Sequence, residues 1–156
     1  MTSIEEHKNI VNELINDIDE KIRAGLLVKR QKIVGFAASE ISTNLFALLL
    51  HKKSLISAGF NVNHRFFASS KKAKETFKEN FEKKDLILDL LIRQESFRDK
   101  LCYGKEKDEI VVHEAIKNLF ALKQIIEKTL GEELLNTLMF LPILTILYLC
   151  LWEKKS

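Results

Sequence analysis

The chain has 156 residues, the length of one ordinary domain. Apolar residues make up 46% and charged residues 30%, which excludes a disordered chain, and five Gly with one Pro are too few for the turns of a β-sandwich or barrel. The glycines stand far apart, which excludes the glycine-rich phosphate loops of Rossmann and P-loop enzymes. The net charge of +3 permits an anionic partner without requiring one. We therefore expect an all-α protein.

The first two predicted elements are helices. Residues 3–24 place apolar side chains on one face, with Thr2 or Ser3 as N-cap and Gly25 as the stop. Residues 28–53 predict a long, mostly buried helix. Its small residues recur three or four positions apart, which lets a neighbouring helix approach closely; they are Gly35, Ala38, Ser39 and Ser42.

The second half predicts an irregular region followed by three more helices. Gly59, Asn61 and Asn63 interrupt residues 54–70. A short basic helix is expected over 71–82, and apolar spacing predicts helices over 84–102 and 106–130, each followed by a glycine. We expect residues 1–131 to form an up-down bundle of about five helices around one core.

Residues 132–156 form a separate apolar segment. Nineteen consecutive residues from Leu134 to Trp152 carry no charge, and a helix of that length spans about 28 Å, close to a bilayer's hydrocarbon core of about 30 Å. Trp152 ends the run, as an interfacial aromatic would. The run predicts either a C-terminal membrane anchor or a helix that fills the core of the bundle or of a dimer.

Cysteine usage and the N-terminus indicate a cytoplasmic chain. Cys102 and Cys150 lie far apart, so we expect two reduced thiols, and we find no motif for zinc, another metal or a cofactor. The acidic, polar start is not a signal peptide. If the C-terminal run is an anchor, the bundle would lie on the cytoplasmic side.

Two stretches resemble the HEPN superfamily of small helical bundles. The first is residues 34–69, VGFAASEISTNLFALLLHKKSLISAGFNVNHRFFAS, a long helix with a small-residue stripe followed by a loop. The second is residues 97–130, FRDKLCYGKEKDEIVVHEAIKNLFALKQIIEKTL. It resembles the segment in which an Arg is followed, about four to six residues later, by a His at a helix junction. Here Arg98 is followed by Tyr103 in place of that His.

The resemblance implies a helical bundle, a homodimer and a role with RNA. In active members the Arg and His form a metal-independent ribonuclease site, in which Arg holds the phosphate and His manages protons. Because the His is replaced, we expect a non-catalytic or noncanonical module that binds RNA or a partner protein. The resemblance also implies a toxin–antitoxin or stress-defence setting, with a nucleotidyltransferase-type protein as companion.

Three residues are candidates for a residual catalytic site: Arg98, Tyr103 and His64. Arg98, Asp99 and Tyr103 predict either a phosphate-binding corner at a subunit interface or a helix end in which Arg98 pairs with a carboxylate and Tyr103 packs under a turn. His64 either contacts RNA, serves as an alternative acid–base, or bonds nearby backbone.

A basic stretch is the candidate nucleic-acid surface: Arg65, Lys71, Lys72, Lys74 and Lys78. Basic groups interleaved with phenylalanines could bind single-stranded nucleic acid, or rest on anionic lipid if the tail is an anchor. Equally, Phe77 and Phe81 could face the core of an amphipathic helix with a solvated lysine face.

Two further polar residues carry structural expectations. Glu40 is expected to pair with Arg98 or with a hydroxyl group of the adjacent helix, and His113 to be a partly exposed surface or interface residue.

Two other functions are alternatives to the binding of RNA or of a partner protein. One is a C-terminally anchored interaction protein with no nucleic-acid role, and the other is a metal-independent endoribonuclease.

Overall fold

The computed structural model describes residues 3–134, and this part of the chain is all-helical. Five α-helices follow in order, joined by turns, loops and one 3₁₀ helix, His64–Phe67. They are α1 (Ile4–Arg23), α2 (Gln31–Lys52), α3 (Ser70–Thr76), α4 (Lys84–Cys102) and α5 (Glu109–Leu130). The prediction of an all-α bundle is confirmed. The uncharged run that continues to Trp152 lies outside the described residues from position 135 onward.

The four long helices alternate in direction around α2. Gly35 near the start of α2 meets Leu101 at the end of α4, so these two helices are antiparallel. His7 near the start of α1 contacts Asn44 in the second half of α2, which sets α1 antiparallel as well. Helix α5 runs with α2, because Lys52 at the end of α2 pairs with Glu132 just after α5.

Capping residues mark ends of α1 and α5 as the sequence predicts. Ser3 is the N-cap of α1 and forms a capping box with Glu6. Gly25 and Gly131 adopt the left-handed conformation that ends a helix, and Gly131 is the C-cap of α5. Helix α2 begins three residues later than predicted, because residues 27–30 form a turn.

The predicted helix over residues 71–82 is wrong in its second half. Helix α3 ends at Thr76, and Phe77 leaves the helical conformation with φ −103° and ψ 77°. The physical reason is packing: the buried Phe77 and the half-buried Phe81 both contact the ring of Phe46, with centroids 4.9 Å and 6.0 Å away. One straight helix was expected to hold both rings, but packing around Phe46 overrides local propensity.

Helix α2 is the centre of the core. Of the described helices, it alone is long and apolar enough to cross a membrane by length and composition, but 83% of its apolar window is buried inside the bundle. Its side chains from Ile41 to Leu50 are all buried, against α1, α4 and α5. An apolar helix of this kind is expected at the middle of a helical core.

Gly35 sets the closest approach between α2 and α4. A Cβ atom placed at Gly35 would lie 2.7 Å from Leu101 Cβ, closer than real side chains approach. The small-residue stripe predicted from the sequence therefore faces α4, at least at this position. The short distance between the two helices brings residues of α2 within reach of polar groups on α4.

The side-chain amide of Gln31 binds the loop between α4 and α5. Its Nε2 donates to the carbonyl of Lys107 at 3.1 Å, and its Oε1 accepts from the amide of Lys107 at 2.8 Å. Gln31 is itself buried. The first residue of α2 thus fixes a loop that lies 76 positions away in sequence.

Candidate functional site at His64, Glu95 and Arg98

Three ionisable side chains from two separate elements meet beside α2. The 3₁₀ helix contributes His64, and α4 contributes Glu95 and Arg98, which lie one turn apart. Asn63 caps the 3₁₀ helix through the Arg65 amide, and buried Phe67 anchors the helix in the core. These two attachments hold His64 against α4.

Glu95 is the hub of the cluster. Its Oε1 lies 2.7 Å from His64 Nδ1 and 3.7 Å from Arg98 Nη1, and its Oε2 accepts from Ser39 Oγ of α2 at 3.3 Å. The carboxylate is buried, so it would be costly without these partners. It therefore holds an imidazole and a guanidinium together.

The short contact to Glu95 fixes the tautomer of His64. A carboxylate only accepts hydrogen bonds, so Nδ1 carries the proton and donates it. Nδ1 then has no lone pair for Arg98 Nη1, which lies 3.3 Å away, so we interpret that approach as a contact rather than a hydrogen bond. In the neutral ring Nε2 keeps its lone pair, and the side chain is 24% exposed. His64 can thus accept a proton at Nε2.

Arg98 is held on two sides and retains a donor without an acceptor among the described residues. Nη1 faces Glu95, and the guanidinium carbon lies 5.8 Å from the centroid of Phe36 on α2. Its buried Nε has no hydrogen-bond acceptor within the described residues. A guanidinium with unused N–H groups is suited to a phosphate or carboxylate.

The neighbours of Arg98 on α4 take no part in the cluster. Tyr103 follows the last residue of α4 and is 60% exposed, so it does not pack under a turn. Asp99 is exposed. Burial raises the pKa of the Cys102 thiol although Arg98 acts to lower it, and Sγ donates to the carbonyl of Lys32. The thiol therefore stays protonated and is a poor nucleophile.

The predicted basic surface is exposed and follows directly from the site. Arg65 neighbours His64, and the lysines lie on α3 or just after it; they are Lys71, Lys72, Lys74 and Lys78. Lys71 and Lys74 lie 4.0 Å and 3.7 Å from carboxylates. The other three cations have no ion-pair partner in the part of the chain that the structure describes.

Two expectations about polar residues are wrong. The carboxylate beside Arg98 is Glu95 rather than Glu40, because Glu95 lies on the same helix face one turn before it. His113 is buried, with 8% of its surface exposed, and its Nε2 lies 3.7 Å from Glu109 on the same helix. The reason is its position on α5: His113 lies on the face of the helix that is buried in the bundle.

A second histidine cluster joins α1 to α2. His7 is buried and its Nδ1 lies 2.7 Å from Asn44 Oδ1, while the ring of His51 lies 5.6 Å away, centroid to centroid. Asn44 Nδ2 donates to the carbonyl of Glu40, so Oδ1 is the acceptor and His7 Nδ1 carries a proton. Burial, followed by the nearby His7, lowers the pKa of His51, whose buried Nε2 has no hydrogen-bond partner within residues 3–134.

Within residues 3–134 there is no group of three or more His, Cys, Asp or Glu side chains placed to hold a metal ion. Comparisons with protein-family models, curated proteins and solved structures find no match for this chain. The chemistry of the site therefore has to be argued from its own residues.

Proposed function

We propose that the chain is a noncanonical HEPN-like module that binds RNA through a phosphate at the His64–Glu95–Arg98 cluster. The observation that carries the proposal is the meeting of His64 with Arg98, 34 positions apart, on one carboxylate. In the HEPN pattern an Arg is joined by a His from the same junction. Here Tyr103 holds that place in sequence, and the loop residue His64 supplies an imidazole from another direction.

Charge on the surrounding surface supports an anionic ligand. The cluster carries one carboxylate and one guanidinium, and becomes positive when His64 is protonated. Arg65, Lys72 and Lys78 follow in sequence and add cations that have no ion-pair partner among the described residues. Such cations bind phosphates without regard to sequence, and the binding weakens as salt displaces it.

The first experiment is RNA binding by the full-length chain. We expect a labelled RNA oligonucleotide to bind at low salt, with affinity that falls as salt rises. Arg98→Lys keeps the charge but removes the bidentate fork, and should weaken binding about 10-fold. Arg93→Lys is the matched control, since Arg93 is an exposed arginine of the same helix. Absence of binding by the wild type at low salt would refute the proposal.

A specific contact favours a second candidate, metal-independent RNA cleavage. A carboxylate 2.7 Å from the imidazole fixes the tautomer that leaves Nε2 free to accept a proton. Nε2 would take the proton of a ribose 2′-hydroxyl, whose oxygen attacks phosphorus while the bond to the 5′ oxygen breaks. The departing oxygen would take a proton from water. Cleavage that persists with a chelator and is lost in His64→Gln would support this candidate.

The homodimer and a partner protein remain proposals. Exposed apolar side chains lie at the end of the bundle where α2 begins and α4 ends: Ile33, Tyr103 and Ile110. Apolar exposure of this kind is typical of a contact surface. Light scattering of the full-length chain would show whether it is a dimer.

The membrane anchor is the alternative function, and it rests on the uncharged run that ends at Trp152. The backbone amide of Leu134 is held by Glu127 of α5, so a chain ending at Leu134 keeps every contact described here. We expect the full-length chain to float with liposomes and the 1–134 chain to stay in solution. If both stay in solution, the membrane anchor is wrong, and the predicted cytoplasmic location does not involve attachment to a membrane.

A further inference from the structure

Phe36 is the exposed member of an otherwise inward-facing set. The described residues contain nine phenylalanines, and of these only Phe36 is exposed, at 48%. The others lie in the core or partly within it, many of them around Phe46. Phe36 is therefore the described phenylalanine whose ring is available to contact a ligand.

The position of Phe36 beside Arg98 indicates what kind of ligand the ring contacts. The guanidinium carbon lies 5.8 Å from the ring centroid, so the ring adjoins the group to which we assign the phosphate. Phe36 follows Gly35, whose close contact with Leu101 fixes this part of α2 against α4. The ring is therefore carried by a rigid helix and held at one side of the site.

We infer that Phe36 is a stacking platform for an unpaired base, so that the site selects single-stranded RNA over a duplex. The inference rests on the proposed function, because it assumes a phosphate at Arg98. A nucleotide presents an anionic group and a flat π-face separated by one sugar, and Arg98 with Phe36 offers a donor and a flat ring in the same order. Bases in a duplex already stack on each other and leave no face for a protein ring.

Other polyanions offer no flat base that could stack on Phe36. A membrane surface offers phosphates but no base to stack, and an acidic peptide offers carboxylates without a flat face. Stacking depends little on which base is present, because every base has a π-face. We therefore expect preference for single strands with weak dependence on base sequence.

The experiment measures binding of a labelled oligouridine RNA, its abasic counterpart and an RNA duplex by fluorescence anisotropy. Wild type should bind oligouridine about 10-fold more tightly than the abasic chain, in line with alanine substitutions at stacking rings. Phe36→Leu should bind oligouridine and abasic chains equally. Phe36→Trp should retain the preference. Tyr103→Leu is the control, because Tyr103 is an exposed ring at the same end of the bundle without the Arg98 contact.

The outcomes separate the two proposals. If wild type binds none of the probes, the proposed function fails and the stacking role fails with it. If wild type binds oligouridine and Phe36→Leu keeps the full preference over the abasic chain, the stacking role alone is wrong. If Phe36→Leu and Tyr103→Leu both convert a dimer to a monomer and weaken RNA binding equally, Phe36 is a subunit contact, which also overturns stacking.

Discussion

The two histidine clusters of this bundle surround an imidazole with partners of different charge. His64 lies against a carboxylate and beside a guanidinium, whereas His7 lies against a neutral amide and near a second imidazole, that of His51. The first cluster contains a carboxylate, Glu95, that faces both the imidazole and the guanidinium. In the second, the partners that the described residues offer to the His7 ring by hydrogen bonding and ring contact are an amide and an imidazole. The comparison teaches that charged partners hold the imidazole at α4, while a neutral amide and ring packing hold the imidazoles between α1 and α2.

The largest expected effect comes from neutralising the hub of the charged cluster. Glu95→Gln leaves Arg98 mostly buried without its carboxylate, and breaking a buried ion pair costs about 3 kcal/mol. Urea denaturation would measure the loss. Glu114→Gln is the control, because the Lys117–Glu114 pair is largely exposed and should contribute less than about 1 kcal/mol. Equal losses in the two variants would show that the cluster is not held by charge.

A slightly smaller effect should follow from Gly35→Ala. The added Cβ meets Leu101 Cβ at 2.7 Å, and overpacking of this kind costs about 1–3 kcal/mol. Because the clash lies between α2 and α4, the NMR signal of His64 should shift while those of His7 and His51 stay in place. Gly59→Ala is the control, since a Cβ there meets nothing. Shifts at all three histidines would show that the two clusters are coupled.

The neutral cluster should respond less strongly to the loss of its amide. Asn44→Ala removes the acceptor of the buried His7 Nδ1–H, and an unsatisfied buried donor costs about 1–2 kcal/mol. Thermal unfolding would measure this, with the exposed Asn61→Ala as control. A stability equal to that of the control would mean that His7 finds another acceptor.

The smallest expected effect is the dependence of stability on pH at His51. Its pKa is lowered in the folded chain from the ordinary 6.5, so the unfolded chain binds the proton first as the pH falls. The stability is therefore complete above about pH 6.5 and declines as the pH drops toward the lowered value. The melting temperature at about pH 7.5 and about pH 5.5 would measure it, and His51→Gln should reduce the difference. An unchanged difference would assign the pH dependence to other groups.

Much of the bundle could be predicted from the sequence because its signals are local. The Ser3 cap, the apolar spacing of α4 and the glycine after α5 each act within a few residues of the helix end that they mark. The end of α3 could not be predicted in this way. It depends on the ring of Phe46, which comes from a helix 31 positions earlier than Phe77.

Only part of the candidate site could be predicted from the sequence. Arg98 and His64 are both sequence candidates for one residual site, together with Tyr103, but no sequence pattern shows that the 3₁₀ helix packs on α4 and brings the two side chains into contact. Glu95 and Ser39 were missed as site residues. The spacing of Glu95 and Arg98, three apart on one helix, is a signal that could have found the first. Ser39 was recognised only as a small residue that permits close packing.

Two hydrogen bonds between the Gln31 side chain and the Lys107 backbone tie the loop before α5 to the start of α2, so we expect the loop and the helix end to open together. The backbone amide of Lys107 donates to a side chain that is buried and attached to α2, so it exchanges with solvent only when that helix end separates from the loop. In a hydrogen–deuterium exchange experiment, Lys107 should exchange as slowly as amides in the first turns of α2, and far more slowly than its loop neighbours. A segment without regular secondary structure thereby opens together with the helix that begins at Gln31.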